Sequence, residues 1–413
     1  MKKALALSLC ALFAISATGC FREKKISSNE LSKSYKRTAS TTLPVRDVFT
    51  GGMGDFAFTL FKNTLTKEGT VKPNELISPI SAAMCLGLLN NGARGNTQAQ
   101  INSLFGMNTA QFNQGFYEYT SSLYSGKNCR VEVANSVWLK DNALNVEPDF
   151  LQANADWYGA QAYASPFDET TLEDINNWCY NHTHGKIKKV LNEIPPLAVM
   201  YLINTLDFDA KWAYPYEREA IEQGVFFNQN GSTADVNMLF SEESFYIEDE
   251  NAIGFTRPYK ESKYSFMAML PNEGVDLYEY MNSLNGEKWR ELWANGEYRS
   301  VHARIPEFTY ETEKVLNETL YNMGVTDMFS PDTADFSGID KTQPLYCALV
   351  KQKSIIELDR EGTKAASVTL AGMKCMSADP SAAVYITLDR PFFYAIVDNE
   401  YKLPLFLGAV VNL

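Results

Sequence analysis

LINTLDFDAKW, residues 202–212, closes a mainly apolar run that starts at Val199. A run of this length reads as a buried strand over 199–208, VMYLINTLDF, and Trp212 just beyond it reads as a large packing residue. Helical periodicity dominates before it, over 53–66, 78–90, 96–104, 110–124 and 148–155. A strand pattern at 131–139 (VEVANSVWL) and a helix over 172–190 complete that half. After 225 the chain is strand-rich: 225–228, 234–240, 244–249, 253–259, 264–270, 299–310, 346–358, 384–388, 392–398 and 404–411. Helical pieces at 276–282, 286–293 and 313–323 interrupt these strands. With no repeat and no internal linker, the pattern predicts one large α+β domain built from several sheets.

Composition narrows the function classes. The 413 residues are 45% hydrophobic and 21% charged, which supplies a core and excludes wholesale disorder. Fifty acids against 37 bases give a net charge of −13, and no basic stripe stands out, so a nucleic-acid partner is not expected.

The chain begins MKKALALSLCALFAISATGC. Lys2 and Lys3, the apolar stretch Ala4 to Ala17 and the small residues before position 20 read as an export signal over 1–19. Gly19-Cys20 resembles a bacterial lipoprotein cleavage box, with Ala17 where such boxes usually carry Leu. Cys20 is therefore the expected lipid anchor, and plain secretion is the other reading. Residues 20–46 read as that anchor and a polar, flexible tether, and 47–413 as the folded domain. The expected location is the bacterial outer membrane or cell surface.

The cysteines at 10, 20, 85, 129, 179, 347 and 375 leave an odd, irregularly spaced set once the signal and anchor are removed, which is not a disulfide framework. Cys85, in AAMCLGLL, reads as a small core residue. Enzyme signals are weak. There is no Gly-x-Ser-x-Gly elbow, and His182-x-His184 lacks companions at metal-ligand spacing and reads as a helix end or turn before Gly185. Gly52-Met-Gly54-Asp-Phe-Ala57 mimics a dinucleotide fingerprint, but it reads more simply as a loop entering an amphipathic helix at Asp55. No metal and no cofactor are expected.

Five groups of residues, in order, carry a family resemblance. Ser78-Pro79-Ile-Ser81 leads to Gly92-Ala93-Arg94-Gly95-Asn96-Thr97. Ile175-Asn176-x-Trp178 leads to Thr183-x-Gly185-Lys186-Ile187, and Leu202 to Trp212 follows. Next come Ile305-Pro306, Leu316 to Phe329 and Ala334-Asp335-Phe336-Ser337-Gly338. Last are Glu361-Gly362-Thr363-Lys364-Ala365-Ala366, Asp389-Arg390-Pro391-Phe392-Phe393 and Leu405-Phe406-Leu407-Gly408. From about Asp55 to Leu413 the chain resembles a serpin. Several motifs also read physically on their own. Ser78 before Pro79 suits a helix cap with Pro in the first turn, and Gly92 and Gly95 suit a turn with positive φ. The resemblance implies helices around a large central mixed sheet, smaller sheets and an exposed reactive-centre loop, here about 360–390.

That loop spans some thirty residues between two strands, too long for an ordinary connection. Written as a strand, it places Thr363, Ala365, Ser367, Thr369 and Ala371 on one face, all small and uncharged, with Lys364 on the other. Such a face can be buried without hiding a charge. The resemblance makes Gly362, Thr363, Ala365, Ala366 and Ser367 the hinge. In the family the scissile bond normally follows the residue fourteen places after this Gly, so the resemblance implies Met376-Ser377, with Lys374-Cys375 as the alternative. Met376 suits serine proteases of elastase-, subtilisin- or chymotrypsin-like specificity, and Lys374 suits trypsin-like ones. Cysteine proteases are a second expected target class.

The resemblance also places Trp212, Asn204, Arg360, Glu307 and Gln352 at the breach and gate through which the loop moves. Arg360 stands where the family usually has Glu, and Glu307 where it has a base, so a charge-reversed Arg360–Glu307 ion pair is expected. Gln352 stands where His is common, which removes a pH-sensitive gate. The function implied is a monomeric suicide-substrate inhibitor of serine proteases, not an enzyme, attached to a membrane through its lipid. A non-inhibitory serpin, acting as a binding or structural protein with a cleavable loop, is the alternative.

Overall fold

The computed structural model describes residues 21–65, 72–363 and 383–413. Cys20 and the loop residues Ala365, Ala366, Ser367, Lys374, Cys375, Met376 and Ser377 lie outside the described residues. The chain runs through β1 (Asn29–Glu30), α1 (Arg46–Thr64), β2 (Glu75–Ile77), α2 (Pro79–Gly92), α3 (Gly95–Phe105) and α4 (Thr109–Ser122). It continues through β3 (Cys129–Lys140), α5 (Pro148–Tyr158), β4 (Gln161–Ser165), α6 (Glu169–His182) and β5 (Met200–Lys211). Then follow β6 (Ile221–Phe227), β7 (Thr233–Glu248), β8 (Ala252–Pro258), β9 (Tyr264–Pro271), α7 (Leu277–Ser283), α8 (Gly286–Asn295) and β10 (Glu297–Pro306). The last elements are β11 (Phe308–Val315), α9 (Asn317–Asn322), β12 (Lys351–Leu358), β13 (Gly362–Thr363), β14 (Val384–Thr387), β15 (Phe392–Asp398) and β16 (Leu403–Val410).

These elements make the expected α+β architecture. A mixed sheet runs β1-β4-β3-β5-β13, with β3 and β4 parallel and the other pairs antiparallel. A nine-stranded sheet runs β14-β10-β7-β8-β9-β15-β16-β2, with β6 added along β7. β11 and β12 form a separate antiparallel pair. β15 and β16 are buried along their whole length, which is why both read as unbroken apolar runs. Helix α2 lies between the layers with nearly every residue buried. The Ser78 side chain accepts from the Ser81 amide and Pro79 occupies the first turn, as that sequence favours. Of the two glycines expected to turn, Gly95 takes a φ of +52°, whereas Gly92 keeps a negative φ as the last residue of α2, where a Cβ would strike Ile339.

Several boundaries differ from the periodicity. The 299–310 run breaks at Glu307 into β10 and β11, and 234–249 is one strand rather than two. The strand predicted from 346 starts at Lys351, and helix 313–323 shrinks to α9 because its first residues extend β11. α6 stops at His182, since His184 and Gly185 both turn into positive φ. α1 starts nine residues before the expected entry at Asp55 and carries Gly51, Gly52 and Gly54 within it, where Gly52 lets the Phe105 backbone approach.

The tether is the largest correction. Residues 21–45 lie along the body instead of swinging free. Phe21 stacks on Tyr180 and tilts against His184. Asn181 brackets Lys24, accepting from its amide and donating to its carbonyl at 2.8 Å each. β1 extends the edge of β4, and Thr38 and Thr42 donate to Asp156 on α5 and Gln114 on α4. The Asp174 carboxylate, 3% exposed on α6, accepts from the Ser27 amide and hydroxyl and from the Ser28 amide and hydroxyl at 2.6–3.1 Å. Polarity alone suggested a leash, but these Ser and Asn residues spend their hydrogen bonds on α6 and β4. Asp174→Ala should cost about 2–3 kcal/mol, because it takes one buried acceptor away from several donors at once. Denaturant unfolding measures the loss, and limited proteolysis should show new cuts between residues 22 and 45.

Candidate functional site

Alternation along β5 sorts its side chains onto two faces. Asn204 meets α2, where the Ser81 hydroxyl donates to its carboxamide oxygen. Asp207 faces the other way and holds Lys186, just beyond α6, at 2.7 Å. β3 pairs with β5 along one edge. Among the described residues no ladder joins the other edge of β5 to β12. The two strands instead flank a cavity of about 390 Å³, lined by Asn204 and Leu206 of β5 and by Ser354 and Ile356 of β12, with Ser81 beneath and Lys186 above. Cys85 of α2 also reaches it, and burial pushes its thiol up to about 12.

Buried amides bridge the floor of this gap. Gln352 donates to the Ser78 carbonyl and accepts from the Ser78 amide, both at 2.9 Å. Asn204 donates to the Asn135 side chain at 2.8 Å. β12 is thereby tied through α2 to β5 and β3. Gln352→Leu leaves both Ser78 groups buried without this partner and should destabilise the chain by about 2–3 kcal/mol in denaturant unfolding.

At the head of the gap lie the residues expected at the breach. After β12 the chain turns at Asp359–Glu361 and returns as β13, antiparallel to β5, with Gly362 opposite Lys211 and Thr363 opposite Ala210. A Cβ at Gly362 would sit 2.2 Å from the Ala210 carbonyl oxygen, so only glycine brings the strand this close. The Asp359 carboxylate accepts from the amides of Glu361 and Gly362 at 2.7 and 3.1 Å, and burial raises its pKa. Trp212 is fully buried and grips the turn twice: its indole donates to the Asp359 carbonyl at 2.9 Å and its amide to Glu361 at 3.0 Å. Its ring stacks on Tyr259 at 4.6 Å, and the Tyr259 hydroxyl lies 2.8 Å from the buried Thr363 hydroxyl.

Glu307 and Arg360 do meet, but not as the expected ion pair. Glu307 accepts from the Arg360 backbone amide at 3.2 Å and from Asn237 at 2.8 Å. The Arg360 guanidinium turns instead to Glu361, 3.6 Å away. The turn presents its N–H, not its side chain, to Glu307, so the carboxylate fixes backbone there.

Sequence reasoning missed four residues of this site. Arg257 is 4% exposed and pairs with buried Glu243 and the Tyr214 carbonyl, with its guanidinium 4.9 Å from the Trp212 ring and 4.0 Å from the Tyr216 ring. The signal available was an arginine inside the apolar run AIGFTRPY. Tyr259 and Asp359 carry no such mark, because their roles depend on which strand meets β13.

A short strand, β13, entering the head of the gap between β5 and β12, over a helix capped by Ser78, is the arrangement the resemblance implies. The chain belongs to the serpin (serine protease inhibitor) family, which it matches over residues 52–413. It is 38% identical to a thermophilic serpin, tengpin, whose native-state crystal structure it matches with a TM-score of 0.85 over 94% of this chain and 100% of that one. Against the latent state of tengpin the TM-score is 0.80, at 37% identity over 91% of this chain and 100% of that one. It is also 28% identical to the human leukocyte elastase inhibitor over 86% of this chain and 96% of the relative. A serpin-like protein of Methanosarcina acetivorans is 27% identical over 86% of this chain and 85% of its own length.

Proposed function

We propose that this chain is a protease inhibitor that traps serine proteases as an acyl-enzyme and inserts its cleaved loop between β5 and β12. The observation that carries the reading is the register of β13. Thr363 lies opposite Ala210 with its side chain buried against Tyr259, on the α2 side of β5. Continued down the edge of β5, this register sets 365 opposite Phe208, 367 opposite Leu206, 369 opposite Asn204 and 371 opposite Leu202. The inward set is then Thr363, Ala365, Ser367, Thr369 and Ala371, small enough to enter the cavity with no charge buried. Lys364 falls opposite Asp209, on the face where Lys186 and Arg130 already surround that carboxylate.

The same register reaches the foot of β5, Met200, at residue 373. A cut at Met376-Ser377, or at Lys374-Cys375, lies just past that foot, so the freed segment is long enough to fill the gap. The attacking serine forms its ester with the residue before the cut, and the leaving strand departs with the new amine. Insertion then supplies hydrogen bonds to two edges that lack a ladder with each other and carries the enzyme away from its assembled geometry. Hinge residues Ala365, Ala366 and Ser367 are the next to enter. The chain acts without a cofactor, is monomeric before attack, and is exported and held to the envelope through Cys20.

The test is a denaturing gel of the chain mixed with pancreatic elastase, subtilisin or trypsin, with mass measurement of the released C-terminal peptide. A covalent complex with release after Met376 is expected. Release after Lys374 moves the specificity to trypsin-like enzymes. Loop cleavage by all three with no complex would make the chain a non-inhibitory serpin.

A further inference from the structure

The outer face of the nine-stranded sheet, where the loop rejoins the body, carries a row of rings that the trapping step does not use. Tyr385 of β14 is 68% exposed and stacks on His302 of β10 at 4.8 Å and 13°. His302 stacks in turn on Phe240 of β7 at 5.9 Å and 19°. The Arg304 guanidinium lies 5.4 Å from the Phe240 ring and 3.5 Å from Glu222 of β6. Three adjacent strands thus present a continuous, pre-ordered aromatic stripe ending in an arginine. Strand alternation explains it: Val301, Ala303 and Ile305 of β10 point into the core, so His302 and Arg304 point out. A tyrosine left open to solvent on such a platform, with an arginine beside it, has the composition of an interface centre.

We infer that this stripe is a second docking site for the protease that attacks the loop, engaging the rim on the leaving-strand side of the enzyme's cleft. The inference rests on the proposed function, and the occupant follows from chain length. Tyr385 is nine residues beyond Met376, so the scissile bond lies within roughly 30 Å of it along the most extended path. A protease of about 230 residues has a radius of gyration of roughly 17 Å, so its body is wide enough to span that distance. Val384, where β14 begins its parallel pairing with β10, is eight residues beyond Met376. The stripe therefore follows closely in sequence on the segment the enzyme would hold. Rings already stacked on one another also lose little side-chain freedom on contact.

The experiment follows loss of intact chain against pancreatic elastase and subtilisin, counting complexed and cleaved product together, so that it reads attack on the loop whether or not trapping succeeds. Tyr385→Ala and His302→Ala should each slow attack by about five- to tenfold for at least one enzyme, and Tyr385→Phe should restore most of the rate. A synthetic peptide of residues 369–383 should be cleaved slowly and should not distinguish these enzymes in the same way. Equal rates for wild type and both alanine variants overturn the inference, as does failure of both enzymes to attack the loop. Light scattering adds a separate check: a wild-type dimer that Tyr385→Ala dissociates would assign the face to a second copy and overturn it too. Rate effects without any covalent complex would uphold the docking site while refuting the trapping function.

Discussion

Thr363→Arg is expected to abolish trapping while leaving loop cleavage intact. Thr363 is buried beside Tyr259 at the head of the gap, and no carboxylate is among its described partners there. An arginine must either carry its charge into that site, at a cost of several kcal/mol, or hold the strand out. On the proposed mechanism, hydrolysis of the acyl-enzyme competes with insertion. A penalty of about 3 kcal/mol shifts that competition more than 100-fold toward free protease. The measurement is the number of chains consumed per enzyme inhibited, which should rise from near one to a value typical of a substrate. Thr363→Ala is the control: it removes the 2.8 Å contact with Tyr259 but buries no charge, and should keep most of the inhibition. Full inhibition by the arginine variant would mean that β13 does not lead insertion.

The second large effect concerns Glu243 and Arg257, each with a side chain 5% exposed beneath the same turn. Glu243→Leu leaves the guanidinium with the Tyr214 carbonyl and two aromatic faces, and should destabilise the native state by about 3–5 kcal/mol. The double variant Glu243→Leu, Arg257→Met removes both charges and keeps the unbranched stem against Trp212 and Tyr216. It should recover most of that loss, and the unfolding rates in denaturant of wild type, Glu243→Leu, Arg257→Met and the double variant close the cycle. A double variant as unstable as Glu243→Leu would show that packing of the arginine, not its charge, holds the breach.

What was legible in the sequence was local or periodic. The buried strand around Asn204, the Ser78-Pro79 cap and the apolar runs of β15 and β16 depend on neighbours within a few residues, and each stands where its pattern put it. The alternation of small residues from Thr363 onward predicts an inward face, and of that set only Thr363, buried beside Tyr259, is among the described residues. What was not legible depended on distant partners. The polar stretch 21–45 looks the same whether its serines bond to water or to Asp174, some 147 residues away. Glu307 and Arg360 have the charges of an ion pair, but a turn decides whether side chain or backbone meets the carboxylate. Glu243 and Arg257 stand on neighbouring strands whose pairing no spacing reveals.

The docked N-terminal segment has a mechanical consequence. Because Phe21 is clamped between Tyr180 and His184, anything joined ahead of it leaves the protein from one fixed point beside α6. A surface attached there would hold the body as a bracket holds a shelf, in one orientation, instead of letting it tumble on a cord. Reach into the surroundings would then be set by the width of the body and not by the contour length of residues 21–45. The head of the gap, where β13 meets β5, would then stand at a constant height and angle above that surface.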